Sequence, residues 1–280
     1  MNKIDTPIPN KLKFQLEITA FLLLNLRLNL RTLDLSNSGL IRKDKKLLCS
    51  VGEMLCLTYL NLSKNELTNV SKHLKNLTNL TYLDLSDNLI KTGIPDWMGN
   101  FGNLIHLDLS KNEISSIPKT VGAFQKLTHL NFSFNHISRL PDALWNLKNL
   151  SHLNLSANNI STIPSKIRSA ENLKYLDLSS NRITELPNTI GNLKKLTHLD
   201  LFGNKEIKFL PQSMASLSNL KYLDIRRTGI ISLPIIWWNW LNLQRICRSN
   251  DICIDPHIYL ITSNQILQHA INRRNFGQSD

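Results

Sequence analysis

Four histidines, His106, His129, His152 and His198, stand at multiples of 23 residues. Tyrosines hold the places between and beside them: Tyr59, Tyr82, Tyr175 and Tyr222. If the fold brings these positions to adjacent rungs, His106, His129 and His152 with nearby Asp108 have the donor types of a zinc site. Clustered imidazoles also resist joint protonation, which would make a binding surface sensitive to pH. A third reading is that the position simply accepts Tyr or His. On every reading the row displays ring-bearing side chains with a polar end, a type enriched at binding hot spots. We assign the row no metal and the chain no cofactor.

A second group lies toward the C-terminus. Phe202 and Arg226 stand where earlier copies of the same pattern carry Ser36, Ser63, Ser86, Ser110, Ser133, Ser156 and Ser179. At the following position Phe134 and Arg227 stand out among Lys64, Lys111, Ala157 and Ser180, and Arg245 and Arg248 extend the basic run. Arginine beside aromatic rings suits a protein contact, and a guanidinium can clamp a carboxylate or phosphate through two hydrogen bonds. The competing reading pairs these arginines with Asp200, Asp224 or Glu206 as structural ions. The candidate partner-binding residues are therefore His106, His129, His152, Tyr175, His198, Tyr222, Phe134, Phe202, Arg226, Arg227, Arg245 and Arg248. No phosphate-cradling glycine loop, Gly-x-Ser-x-Gly elbow or His-Glu-x-x-His helix is present, so the chain is read as non-enzymatic with no catalytic residues.

The elements that must position these residues follow from one pattern. Leu-x-x-Leu-x-Leu-x-x-Asn opens at Leu57, Leu80, Leu104, Leu127, Leu150, Leu173 and Leu196, with looser copies at Leu30, Leu220 and Leu243. Self-similarity at so short a period implies a solenoid. Within Leu150–Asn158, the alternation His152-Leu153-Asn154-Leu155 predicts a strand with the leucines inward and His152 and Asn154 outward. Asn65, Asn88, Asn112, Asn135, Asn158, Asn181 and Asn204 recur where the chain turns away, with Ser38 and Thr228 at the ends. A proline precedes most repeats by nine residues: Pro95, Pro118, Pro141, Pro164, Pro187, Pro211 and Pro234. Proline cannot donate to a ladder, so the return side is a short helix or extended turn rather than a second sheet.

On these residues the chain resembles the leucine-rich repeat family from about Leu30 to Ile254. That resemblance implies an α/β solenoid: a horseshoe of about ten repeats with a parallel β-sheet on its concave face, short helices or turns on its convex face, and helical caps. It also implies an inward asparagine that hydrogen-bonds the backbone of adjacent turns. The run Leu/Ile-Pro-x-x-Ile-Gly-Asn-Leu, clearest at Ile190-Gly191-Asn192-Leu193, resembles the 23-residue intracellular subclass. That subclass includes Ras-suppressor-type scaffolds and bacterial leucine-rich repeat effectors.

A solenoid needs covered ends. We expect an N-terminal cap over 1–29, repeats over 30–254, and a C-terminal cap helix and tail over 255–280. Trp237 and Trp240 are expected to pack toward that end. Trp238 and Trp145 stand where other repeats have Gly, and Trp97 is expected outside. Cys49, Cys56, Cys247 and Cys253 do not have zinc-module spacing and are read as free thiols of a reducing compartment. The apolar run Ile18–Leu24 is too short to span a membrane.

The net charge of +12 falls largely on return segments, for instance Lys72, Lys119, Lys148 and Lys166. The outward strand positions instead carry Asp34, Asn61, Asp84, Asp108, Asn131, Asn154, Asp177, Asp200 and Asp224, which is not a nucleic-acid groove. The expected function is a monomeric, cytoplasmic scaffold that binds a protein partner through its concave face. The alternatives are a bacterial effector acting on a host protein in the host cytoplasm, and a regulatory subunit for a phosphatase or small GTPase. A nucleic-acid or membrane-surface binder ranks below these.

Overall fold

The computed structural model describes residues 30–41 and 44–230, and the backbone of 245–247 and 253–254. The expected caps, Trp237, Trp238, Trp240 and Arg248 lie outside the described residues. The chain divides into two compact units, Met1–Leu150 and Ser151–Asp280.

In the first unit, β1 (Thr32–Asp34), β2 (Tyr59–Asn61), β3 (Tyr82–Asp84), β4 (His106–Asp108) and β5 (His129–Asn131) pair in parallel and in register. In the second, β6 (His152–Asn154), β7 (Tyr175–Asp177), β8 (His198–Asp200), β9 (Tyr222–Asp224) and β10 (Arg245–Cys247) do the same. There β11 (Cys253–Ile254) turns back antiparallel on β10. Each strand is short because only its central residue and the leucine just beyond it face the core. Leu60, Leu62, Leu83, Leu85, Leu153 and Leu155 are all fully buried. The fold is the repeat solenoid that the period demands, with strands alternating with 3-10 turns.

The return segments are 3-10 helices of five residues, as in Asp96–Asn100, Lys119–Ala123, Asn188–Asn192 and Gln212–Ser216. A proline with extended backbone precedes each of these, which starts the turn without losing a donor the turn needs. Successive turns approach closely: a Cβ on Gly191 would collide with the carbonyl oxygen of Ser213. The first repeat departs from this pattern. Its extra residues form an α-helix, α1 (Lys45–Gly52), that buries Leu47, Leu48 and Val51. Cys49 on this helix is exposed with a free thiol, and Cys56 beyond it is also exposed.

The asparagine ladder is present in both units. Asn112 donates from Nδ2 to the carbonyls of Leu85 in the preceding repeat and of Leu109 and Ser110 in its own, while its Oδ1 accepts from Ile90. Asn181 repeats the arrangement with Leu155, Leu178, Ser179 and Ile160. A buried amide is tolerable because both its hydrogens and its carbonyl oxygen are thus paired. The ends are weaker, as their sequence implies: Thr228 donates to Ile225, and Ser38 to Ser36, within their own repeats.

To aim each asparagine inward, the residue before it takes a left-handed backbone. Lys64, Asp87, Lys111, Phe134, Ala157, Ser180 and Arg227 all have φ between 52° and 55°, and Gly203 has 77°. L-residues are disfavoured there, so this column holds strain that the ladder's hydrogen bonds offset.

Candidate protein-binding face

Parallel strands in register place equivalent side chains about 4.8 Å apart, which is ring-stacking distance. In the first unit Tyr59 and Tyr82 stack with centroids 4.4 Å apart, Tyr82 and His106 at 4.5 Å, and His106 and His129 at 5.6 Å. Burial, then the Asp84 carboxylate, pushes the Tyr82 phenol up to about 12, so it remains a neutral hydroxyl. Burial holds His106 below the usual imidazole value, and the charge of Asp108 only partly opposes this. The Thr128 hydroxyl lies 2.8 Å from Nδ1 of His129 and orients that ring. The histidines present stacked faces rather than converging nitrogens. Among the described residues no group of three His, Cys, Asp or Glu side chains is placed to hold a metal.

Beside the rings runs the second outward column. Its aspartates and asparagines are more than displayed polar groups. Asp34, Asn61, Asp84, Asp108 and Asn131 each accept, through Oδ1, the backbone N–H two residues on. Only Asp and Asn make this turn so readily, and the unbroken Asp/Asn identity of the column was the available signal. Where an amide neighbours an acid, it also donates across the rung: Asn61 to Asp34 at 3.3 Å and Asn131 to Asp108 at 2.9 Å. Phe134 lies at the end of this unit's outward side, 58% exposed and with φ 54°, a rare backbone for a bulky residue. Trp145 is fully buried and offers no contact surface, and Trp97 is half-buried with its ring edge-on to Phe101.

In the second unit the rings sit further apart. His152–Tyr175, Tyr175–His198 and His198–Tyr222 centroids are 6.0, 5.9 and 5.8 Å apart. After Asn154 the column is all Asp here: Asp177, Asp200 and Asp224 occupy successive rungs. Burial, joined by the neighbouring carboxylates, pushes Asp200 up to about 7. Asp224 is 1% exposed and is neutralised by Arg226, whose guanidinium reaches its Oδ2 at 2.6 Å. The Tyr222 hydroxyl donates to the same oxygen at 3.1 Å.

Phe202 completes the group. The guanidinium carbons of Arg226 and Arg227 lie 5.5 and 5.2 Å from its ring centroid. Arg226 is thus held by an ion pair, whereas Arg227 is exposed and has no ion pair among the described residues. Of the candidate residues, the structure brings together His106 with His129 in one unit. In the other it joins His152, Tyr175, His198 and Tyr222, and clusters Phe202 with Arg226 and Arg227. The backbone of Arg245 pairs with Tyr222.

The comparisons with known proteins agree with this geometry. Residues 70–163 and 161–251 match the family described as leucine-rich repeat region, together more than half of the chain, and residues 54–71 match a leucine-rich repeat. A leucine-rich repeat protein of Leptospira interrogans is 30% identical with a TM-score of 0.71, over 79% of this chain and 61% of that one. The ectodomain of the Arabidopsis receptor kinase HAESA, solved with an N-terminally extended IDA peptide hormone, is 28% identical with a TM-score of 0.66, over 76% of this chain and 37% of that one. Internalin C2 of Listeria monocytogenes is 25% identical with a TM-score of 0.59, over 70% and 83%. In sequence, Receptor like protein 22 of Arabidopsis thaliana is 41% identical over 63 residues. That match spans 22% of this chain and 8% of the relative.

Proposed function

The chain belongs to the leucine-rich repeat family, generally a protein-binding module, and from that premise we propose that it binds a polypeptide partner through its outward strand face, with the main contact in the second unit. The observation that carries this is the Phe202–Arg227 pair. It puts an aromatic ring and an exposed guanidinium where other repeats carry serine and, Phe134 aside, small or polar residues. Arginine and aromatic side chains dominate binding energy at protein interfaces. Short strands fix them in advance, so little conformational entropy is lost on association. The HAESA ectodomain, a neighbour in fold, is seen with a peptide ligand. The proposed role is non-catalytic, with the protein acting in the cytoplasm.

A second reading, an effector that binds a host protein in the host cytoplasm, is favoured by the Leptospira and Listeria structures.

The test is affinity capture with quantitative mass spectrometry, comparing the native chain with Phe202→Ser/Arg227→Asp. Ser stands at the first position in seven other repeats, and Asp87 has the second position's backbone, so the variant folds. Arg226 is left intact because it neutralises buried Asp224. A protein retained by the native chain and lost by the variant supports the site. Equal capture by both overturns it.

A further inference from the structure

The second unit carries another feature, on the side away from the strand face. The repeat after Asn204 holds one more residue before its buried isoleucine (Asn204-Lys205-Glu206-Ile207) than the repeat after Asn181 (Asn181-Arg182-Ile183). Beside this insertion lies a cleft of about 460 Å³ between residues 184–188 and 206–211. A parallel bridge ties Glu185 to Thr162 on one side, but among the described residues none ties Glu185 to Phe209 on the other. The floor is apolar: Leu186 and Leu210 beneath, Pro187 and Pro211 beside them.

Phe209 forms one wall and is 74% exposed. Its counterparts in the preceding repeats are Gly93, Ser116, Arg139, Thr162 and Glu185, none of them apolar. Glu185 and Glu206 also line the cleft, both exposed and without an ion pair among the described residues. Lys208 offsets one of these charges. The cleft is therefore locally acidic on a chain of net charge +12.

We propose that this cleft docks an arginine side chain from an extended segment of a protein partner. The methylene stem lies on the proline and leucine floor, as long cationic side chains lie on apolar surface. The guanidinium faces the Phe209 ring, a cation–π arrangement, and its fork of N–H donors meets Glu185 or Glu206. Lysine offers a single point charge and no flat face for the ring, so arginine is selected over it. A purely apolar side chain leaves both carboxylates unused. The proposal is independent of the strand-face reading, because none of these residues takes part in that face.

The experiment titrates the full chain with acetyl-Ala-Arg-Ala-amide and follows backbone amide signals by NMR. The lysine, norleucine and glutamate counterparts of the peptide serve as comparisons. The expected result is saturable shifts at Glu185, Glu206 and Phe209 with the arginine peptide. Binding of the lysine and norleucine peptides is expected to be at least about fivefold weaker, with none from the glutamate peptide. Phe209→Ser, which restores the residue found at position 116, lowers affinity by about fivefold or more, and Glu185→Gln/Glu206→Gln does likewise. Phe202→Ser/Arg227→Asp leaves this titration unchanged, which separates the two sites. Norleucine binding as tightly as arginine, or shifts that fail to saturate or fall elsewhere, overturns the proposal.

Discussion

The two units build the same outward face from the same repeat, and they resolve its electrostatics differently. In the first unit amides interrupt the acids, and Asn61 and Asn131 donate to neighbouring carboxylates. Its rings pack as close as 4.4 Å. In the second unit three carboxylates follow one another, and the one buried to 1% exposure has an arginine as counter-ion. Its rings are 5.8 to 6.0 Å apart. In the first face burial also raises Asp84, but no carboxylate there is enclosed as Asp224 is. The second leaves Asp200 raised to about 7 and Arg227 without a carboxylate partner among the described residues, and groups of that kind are the ones a ligand can satisfy.

The largest break in this contrast comes from Arg226→Ala. It leaves Asp224 charged and enclosed, a situation that costs about 3–5 kcal/mol. Urea denaturation at neutral pH should show a loss of that order in the second unit. Adding Asp224→Asn to the same chain should recover most of it, because the amide can still accept the N–H of residue 226 as Asn131 and Asn154 do at their turns. If Arg226→Ala is neutral, Asp224 is not held by that ion pair, and the second unit is no more charged than the first.

The ring spacing gives the next contrast. Tyr82 stacks on both sides at 4.4 and 4.5 Å, whereas Tyr175 has neighbours at 6.0 and 5.9 Å. With about 0.5–1.5 kcal/mol for a well-stacked pair, Tyr82→Ala should destabilise the protein by about 2 kcal/mol and Tyr175→Ala by about half that. Equal losses by thermal and chemical denaturation would show that the two rows are energetically alike.

The carboxylates sharpen the comparison with opposite signs. The folded value of Asp200, about 7, lies above that of an unfolded aspartate, so ionising it opposes folding. The penalty is absent below about pH 4, grows as pH rises from there, and is complete above about pH 7. Asp200→Asn should therefore raise stability at pH 8 by about 1–2 kcal/mol, with the gain vanishing near pH 4. Asp34, lowered mainly by the Ser36 backbone N–H, contributes stability above the unfolded value that is lost as pH falls through its folded value. Asp34→Asn should bring a small loss at neutral pH and none in acid. Melting temperatures across about pH 2–8 would separate the two, and parallel profiles would contradict the contrast.

Much of this architecture is legible from residue types, because a period of 23 residues with buried leucine and asparagine admits few arrangements. The strand register, the inward asparagines and the weaker ladder ends at Ser38 and Thr228 all follow from identity and spacing. What was not legible depends on angles and distances within turns. Aspartate at position 224 reads equally as a displayed charge or as the partner of Arg226, until the turn brings the two to 2.6 Å. That the Asp/Asn column ties each turn to its strand is signalled only by the column's unbroken Asp/Asn identity. The α-helix Lys45–Gly52 arises where the first repeat exceeds the period, a place where periodicity carries no information. Phe209 follows an insertion, where alignment to the repeat shifts by one and spacing gives its exposure no signal.

The smallest expected effect concerns the left-handed column, where the second unit holds a glycine and the first does not. The first unit places Lys64, Asp87, Lys111 and Phe134 there, and the second includes Gly203. Glycine adopts φ near +60° without steric penalty, whereas a side chain makes that backbone cost about 1 kcal/mol. The greater freedom of glycine in the unfolded chain takes back part of the gain. Lys111→Gly should therefore stabilise by about 0.5–1 kcal/mol, and Gly203→Ala should destabilise by a similar amount. Space does not decide the second change, since an added Cβ would meet Ser180 no closer than 3.4 Å. Measured in urea, the pair tests whether the asparagine ladder imposes this backbone. If Lys111→Gly brings no gain, then lysine is relaxed at φ 52°, and the column is no store of strain in either unit.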